Sequence, residues 1–347
     1  MIFEHSELLK QAVVDKLVSV QKHPNADLYI YNYSPRCQFE RIWTPATMAA
    51  RGLILDGEMN VIARPFPKFF NLSEHQPEEI PNLPFEVYDK LDGSLGLLYF
   101  LHGVPYIATR GSFTSEQAVH ASKLLHCKYQ SSFHLFDFDR TYLFEIIYPE
   151  NKIVCDYQGC DDLFLLSVRH TDSGEELPYR YLQLFSNMLD CPVVDRFGGF
   201  NDLEELKKIQ WSEKEGFVVR FSNGFRVKVK FEEYIRLHRI VTGVSTVTIW
   251  EHLSQGRSIE ELLTRVPDEF YIWVDGVRKD LCNQFYEIEE QCRKVFKVLE
   301  TRKETALYFQ QQKYPSVLFR MLDKSSYDEL IWKMIRPKFC KAFRVEP

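Results

Sequence analysis

GFVVRFSNGFRVKVKF, residues 216–231, is the stretch from which the rest of the chain can be ordered. Asn223-Gly224 splits it into two alternating runs. Such a pair predicts a two-residue hairpin turn of type I′, which needs positive φ at both central positions. On the return strand Phe225, Val227, Val229 and Phe231 share one face by the period of two, so Arg226, Lys228 and Lys230 share the other. Three like charges along one strand face repel unless water or an anion answers them. The hairpin should therefore be core on one side and open to solvent or to an anion on the other.

Upstream, short β-type runs at 53–55, 85–88, 95–101, 142–148 and 163–168 are split by Gly, Pro and Asn. Helical patterns fall at about 8–20, 115–126, 179–188 and 202–209. After residue 240 the strand pattern stops. Ser258 with Glu261 makes a capping-box pattern ahead of Leu262 and Leu263. Long helical patterns follow over about 277–311 and near 327–335. The chain is thus expected to hold an α+β domain, residues 1–242, and an all-helical C-terminal domain, residues 243–347, joined near 242–245.

A length of 347 residues suits two domains. With 45% hydrophobic and 27% charged residues the composition is globular, which excludes disorder as the main state. No apolar run reaches the roughly 18 residues that span a bilayer. The N-terminus, MIFEHSELLK, is too acidic and too short of apolar length for a secretory signal. A soluble cytoplasmic protein without membrane association is expected. The net charge of −6, from 43 Lys and Arg against 49 Asp and Glu, excludes a protein that coats nucleic acid through a broad positive field. A local basic groove remains compatible with it. The eight cysteines (37, 127, 155, 160, 191, 282, 292 and 340) form no C-x-x-C pair, which points to reduced thiols rather than a zinc site. His5, His23, His120 and His238 have no ligand spacing and read as structural.

Lys90 lies in YDKLDGSLGLLYF, residues 88–100, which reads as strand, sharp turn, strand. Gly93 permits tight backbone geometry beside it. A lysine at such a turn can attack the α-phosphorus of a nucleoside triphosphate and expel pyrophosphate. The amine must be neutral to attack, and at a reference pKa near 10.4 only about one in a few thousand is neutral at pH 7. Lys228 and Lys230 are cations suited to lowering that value and to answering charge on the phosphate oxygens. Glu145, in the apolar run TYLFEIIYPENKIV, would be costly to bury without a partner. Glu215 heads the basic hairpin. Magnesium needs only one or two carboxylates besides phosphate oxygens and water, so Glu145 and Glu215 are the candidate metal residues, reached through water.

Taken in order, KLDGS (90–94), FEI (144–146), EGFVVRF (215–221) and VKVK (227–230) resemble the motifs of the covalent nucleotidyltransferases: ATP-dependent DNA ligases, RNA ligases and GTP-dependent capping enzymes. ARGLILD (50–56), RPFPKFFN (64–71), ATRGS (108–112) and FEIIYPENKIV (144–154) are similar to the N-terminal signature of the RNA ligase 1 type of T-even phages. The resemblance covers about residues 40–240 and implies a nucleotidyltransferase domain of ATP-grasp-like antiparallel sheets. It implies that Lys90 takes AMP. Arg51 and Lys68 would hold the triphosphate and pyrophosphate end, with Phe70 as a nearby aromatic. Gly93 would let the loop close on the nucleotide. Glu145 would read the ribose and support metal waters, Glu215 and Gly216 would sit beside adenine and metal, and Lys228 and Lys230 would contact the α-phosphate. Arg110 stands where the phage enzyme has lysine. Phe69 reads as core, Asp92 as a residue that orients the turn, and Arg51 has Asp56 as an alternative partner.

The implied activity is an ATP-dependent RNA ligase in RNA repair, using ATP and Mg2+, with Mn2+ as an alternative. It would join 5′-phosphate and 3′-hydroxyl RNA ends, with no obligate protein partner. DNA ligases and capping enzymes usually carry an OB domain after the last motif, and the tail here lacks strand periodicity. A non-catalytic RNA-binding protein retaining the fold is disfavoured by Lys90 together with Lys228 and Lys230. The tail mixes aromatics and bases (Tyr271, Trp273, Lys294, Arg302, Lys303, Lys313), which packing of amphipathic helices explains as well as an RNA platform does. No motif in it matches the phage ligase, so a tRNA preference does not carry over. Arg236, His238 and Arg239 could extend a phosphate track from the hairpin.

Overall fold

The computed structural model describes residues 1–340 apart from 152, 201, 212, 233, 236–237, 239–243 and 264–270, and leaves out the side chains of 261, 263, 271 and 272. Two compact units divide the chain, Met1–His238 and Arg239–Pro347. The N-terminal unit begins with α1 (Ser6–Val14), β1 (Val18–Lys22), β2 (Leu28–Tyr33), α2 (Pro35–Phe39), α3 (Pro45–Ala49), β3 (Arg51–Asp56), β4 (Val61–Ala63) and β5 (Phe70–Asn71). It continues with β6 (Phe85–Lys90), β7 (Ser94–Leu101), β8 (Val104–Thr109), α4 (Glu116–Lys128), β9 (Arg140–Ile147), β10 (Asp162–His170) and α5 (Tyr179–Leu189). It ends with β11 (Arg196–Phe197), α6 (Leu203–Lys207), β12 (Gly216–Phe221) and β13 (Arg226–Lys230).

Three sheets form, with strand orders β1-β2-β3-β4, β10-β9-β7-β8 and β11-β6-β12-β13-β5. Pairing is antiparallel except between β5 and β13. Capping explains several starts. Ser34 accepts from the Cys37 N–H at α2, Thr44 and Thr47 form a reciprocal box with Pro45 at α3, and Ser115 caps α4.

The decisive hairpin is β12–β13, in register from Gly216↔Lys230 to Arg220↔Arg226. Val227, Val229 and Phe231 are buried with Phe217, Val219 and Phe221 in the core behind the five-stranded sheet. The turn differs from type I′. Gly224 alone has positive φ (+86°), the Gly224 N–H donates to Phe221 O, and Asn223 Oδ1 accepts from the Phe225 N–H. That makes a three-residue loop closed by a left-handed glycine, in which the asparagine works through its side chain rather than its φ.

Two helical expectations also change. The pattern over 8–20 is a helix only to Val14, and Val18–Lys22 is an edge strand beside β2. Lys16, at φ 59°, turns the chain between them. In the C-terminal unit the described elements are α7 (Thr246–Ser254), α8 (Ile259–Leu263), α9 (Tyr271–Val295), α10 (Arg302–Gln310), α11 (Pro315–Leu322) and α12 (Asp328–Met334). The single helix expected over 277–311 is therefore two. Thr301 and Glu304 form a capping box that starts a new helix. At α8, Ser258 Oγ accepts from the Glu260 N–H; the Glu261 side chain lies outside the described residues. Ile288, Cys292, Phe309, Val317, Leu318, Ile331 and Ile335 make the helical core. No described helix is long and apolar enough to cross a membrane.

Gly216 has φ +153°, and a Cβ there would run into Val229 O and Lys230 Cα. We predict that Gly216→Ala lowers unfolding free energy by about 2–4 kcal/mol in urea titration. Gly224→Ala, which meets no atom within 4 Å, should cost only about 1 kcal/mol for its left-handed φ.

Candidate active site

Backbone pairing brings the chemistry together. Gly216 is the register partner of Lys90 on β6 and of Lys230 on β13. The two lysines therefore flank one glycine across three strands and share a sheet face. Regular alternation would place Glu215 on the opposite face, with Phe217. The unusual φ of Gly216 turns the chain instead. Glu215 Oε2 lies 2.6 Å from Lys90 Nζ and Oε1 lies 3.1 Å from Lys230 Nζ. Glu215 is only 3% exposed, so its charge is held by these two ammonium groups rather than by water.

The facing wall comes from the β10-β9-β7-β8 sheet. Glu145 is in register with Leu95, on an inner strand and not at a sheet edge. It shares its face with Leu143, which packs with Leu97 and Phe66. The Gly93 N–H donates to Glu145 Oε1 at 3.0 Å. A Cβ on Gly93 would come within 2.6 Å of Ile146 O and of Ile147 Cδ1, so only glycine lets the Lys90 turn approach β9 this closely. Glu145 is half-buried, and its desolvation pushes the carboxyl up to about 7. The Lys90 charge opposes that rise, Glu215 adds to it, and the Gly93 hydrogen bond and Arg51 oppose it.

Asp92 clamps the same turn. Its Oδ2 accepts from the N–H groups of Val154 and Cys155 at 2.9 Å each, and its Oδ1 accepts from Tyr234 Oη at 2.7 Å. The Asp92 N–H donates to Tyr157 Oη. With both oxygens engaged, Asp92 orients the turn.

The remaining cations gather on aromatic rings. Arg51 and Lys228 both contact Phe69, with 5.2 and 5.4 Å to its centroid. Phe69, expected as core, packs against the Phe66–Leu97–Leu143 cluster and meets both cations as well. Lys68 lies over Tyr33, Trp43 and Phe70 at 5.3–5.4 Å. Arg110 donates to Tyr33 Oη at 3.2 Å. Arg226, on the same strand face as Lys228, is taken up by Glu176. Asp56 accepts from the Glu58 and Asn60 N–H groups and closes its own turn.

Lys90, Lys230, Glu215, Gly216, Gly93 and Glu145 thus converge, and Arg51, Lys68, Phe70, Lys228 and Arg110 are placed around aromatic rings nearby. One expectation changes. Lys228 and Lys230 were expected to act on the Lys90 amine as cations, but Glu215, expected beside adenine and metal, bridges Lys90 directly to Lys230, so a carboxylate faces the amine as well. Tyr33, Trp43, Tyr157 and Tyr234 were not singled out from sequence. Their roles depend on long-range contacts that no local spacing encodes. Arg236 and Arg239 lie outside the described residues. His238 packs beside the Tyr234 ring, 5.7 Å between centroids. Among the described residues no three His, Cys, Asp or Glu side chains converge as a metal cage.

A family model for RNA ligase matches residues 49–234. The chain belongs to the RNA ligase family. The match spans every site position from Arg51 to Lys230. Over 86% of its length the ligase is 24% identical to an RNA ligase of Rhodothermus phage RM378, covering 85% of that protein. It is also 28% identical, over 64% of its chain, to a protein of the Autographa californica nuclear polyhedrosis virus named a bifunctional polynucleotide kinase/RNA ligase. That match spans only 35% of the viral protein. An archaeal ATP-dependent RNA ligase has the same fold, with a TM-score of 0.52 at 16% identity, covering 92% of this ligase and 78% of that chain.

Glu145 provides a titration test. Its carboxyl carbon, followed by NMR in the free ligase, should titrate near pH 7, and Lys90→Ala should move the midpoint upward because a neighbouring cation is lost. A folded-state value raised above the unfolded one gives stability that is full below the unfolded value of about 4.3 and is lost as the pH rises through about 7. Glu145→Gln should flatten that slope.

Proposed function

We propose that this RNA ligase seals 5′-phosphate and 3′-hydroxyl RNA ends in the cytoplasm, using ATP and Mg2+ (or Mn2+), through AMP carried on Lys90. The observation that carries the reading is the Lys90–Glu215–Lys230 bridge set opposite Glu145. The residues suit a triphosphate with a hard divalent cation. Glu215 adds to the cost of charging Glu145, and Gly93 and Gly216 allow backbone approaches at the site that any Cβ would block. Arg51, Lys68 and Lys228 supply positive charge. When bound, the metal would neutralise phosphate charge. Glu145 and Glu215 would hold its waters.

In the first step the Lys90 Nζ lone pair attacks the α-phosphorus, the bond to the β-phosphate oxygen breaks, and pyrophosphate leaves. Glu215, 2.6 Å from Nζ, is in place to take the proton that the amine gives up. Lys230 then faces the α-phosphate, and Arg51, Lys68 and Arg110 face the departing phosphates. In the second step the RNA 5′-phosphate oxygen attacks the same phosphorus and the bond to Lys90 breaks. In the third the 3′-hydroxyl attacks the 5′-phosphorus and AMP leaves. Positioning and charge compensation account for most of the protein's work.

Adenylyl transfer is assigned to residues 1–242 and contact with RNA to the helical residues 243–347. Every site residue above lies in the first unit, which supports the first half of that division. Lys294 pairs with Glu290, Arg302 with Asp323, and Lys313 lies over Tyr314, so RNA phosphates would compete with local partners there.

Incubation with α-labelled ATP and Mg2+ should label the protein, and Lys90→Ala should abolish the label. Labelling from GTP and not ATP would overturn the assignment. Lys230→Ala should slow labelling by roughly 100-fold or more while the chain still folds, with a lower melting temperature because buried Glu215 loses one of its two ammonium partners. A nicked or open RNA should be sealed, and the DNA of the same sequence sealed far less.

A further inference from the structure

Beneath the Lys90–Glu215 pair lies a second, charge-reversed pair made by the preceding residue of each partner. Lys214 Nζ sits 2.6 Å from Asp89 Oδ2. Asp89 is the register partner of Phe217, so it lies on the core face of β6 while Lys90 lies on the cleft face. The turn at Gly216 that brings Glu215 to the cleft also delivers Lys214 to the core face. Asp89 is 7% exposed. Its Oδ1 has no hydrogen-bond partner, and its N–H is spent on Asp195 O. Burial raises its carboxyl, Lys214 opposes that rise, and Asp195 and Glu215 add to it. Among the described residues a single cation, that of Lys214, lies within ion-pair distance of this carboxylate. Lys214 is fitted to supply it, since its ammonium lies against the rings of Phe197 at 5.0 Å and Trp211 at 5.5 Å.

We propose that Asp89 and Lys214 form a latch that positions Glu215 for the reaction at Lys90. Neither residue touches the nucleotide. The latch ties the two residues that precede Gly216 to the end of β6, so that the Glu215 carboxylate stands at one height against both lysines. Without it, Glu215 keeps its bridge to Lys90 and Lys230 and the Phe231 N–H donated to its carbonyl oxygen, but Lys214 is released from β6, and a displacement of an ångström at Glu215 is enough to lose the alignment of the amine. The proposal rests on Lys90 being the lysine that takes AMP.

Two readouts separate the latch from a merely structural role. In single-turnover labelling, Lys214→Met and Asp89→Asn should each slow adenylylation of Lys90 by roughly 10- to 100-fold, with the ATP concentration for half-maximal rate changed little. Lys214→Arg should recover most of the rate. The second readout is the 15Nζ resonance of Lys90 in the free protein, which reports its pairing whether or not the variant is active. Lys214→Met should shift that resonance as Glu215→Gln does, and the double variant should shift it no further. A lower melting temperature with the rate and the resonance unchanged would overturn the latch, as would additive shifts in the double variant. Should Lys214→Met fail to fold, Asp89→Asn, which keeps the side-chain shape, decides on the same readouts. Absence of label in the parent protein would instead count against Lys90, and the resonance test of the latch would still stand.

Discussion

One carboxylate held between two ammonium groups is the constraint on which the site depends. Glu215 is buried, and taking its charge out of water is tolerable only because Lys90 and Lys230 arrive on either side. They arrive there because β6, β12 and β13 pair in one register, and that register is secured by the core behind them. Phe217, Val219, Val227 and Phe231 would all change faces if a strand slipped by one residue. The packing of one sheet face thus sets the electrostatics of the other. The same dependence explains why glycine stands at 216. A side chain would restore ordinary strand geometry and send the carboxylate to the core.

The opposite wall is fixed by a different means. Glu145 occupies an inner strand, and the Lys90 turn is drawn to it by the Gly93 hydrogen bond and by the three bonds that Asp92 accepts. Residues 90–93 therefore carry Lys90, the clamp at Asp92 and the close backbone approach at Gly93 within four positions. A turn so heavily tied has little freedom to adapt, so motion needed for successive steps would have to come from elsewhere in the ligase.

Much of this was legible before any coordinates. Alternation in 216–231 gave the two faces of β13, and the order of short motifs pointed to Lys90, Glu145, Glu215 and Lys230, which the fold brings together, and to Lys228, which lies over the Phe69 ring. What was not legible has physical reasons. The break at Gly216 reverses alternation through a single backbone angle, so the carboxylate bridge could not be read from periodicity. Asn223-Gly224 satisfies two turn types, and the side-chain bond to the Phe225 N–H selects the longer loop. The 277–311 pattern is continuous in polarity, and only the cap at Thr301 divides it. Tyr33 and Trp43 lie far from Lys68 and Arg110 in sequence, and the cation–ring contacts that join them have no periodic signature.

Lys68 illustrates what such contacts do. Its ammonium, 3% exposed as a residue, lies over three aromatic rings. The shell of water that surrounds a surface lysine was shed when the chain folded. An anion reaching this position displaces less water than at an exposed cation, so the affinity gained there is less blunted by solvent.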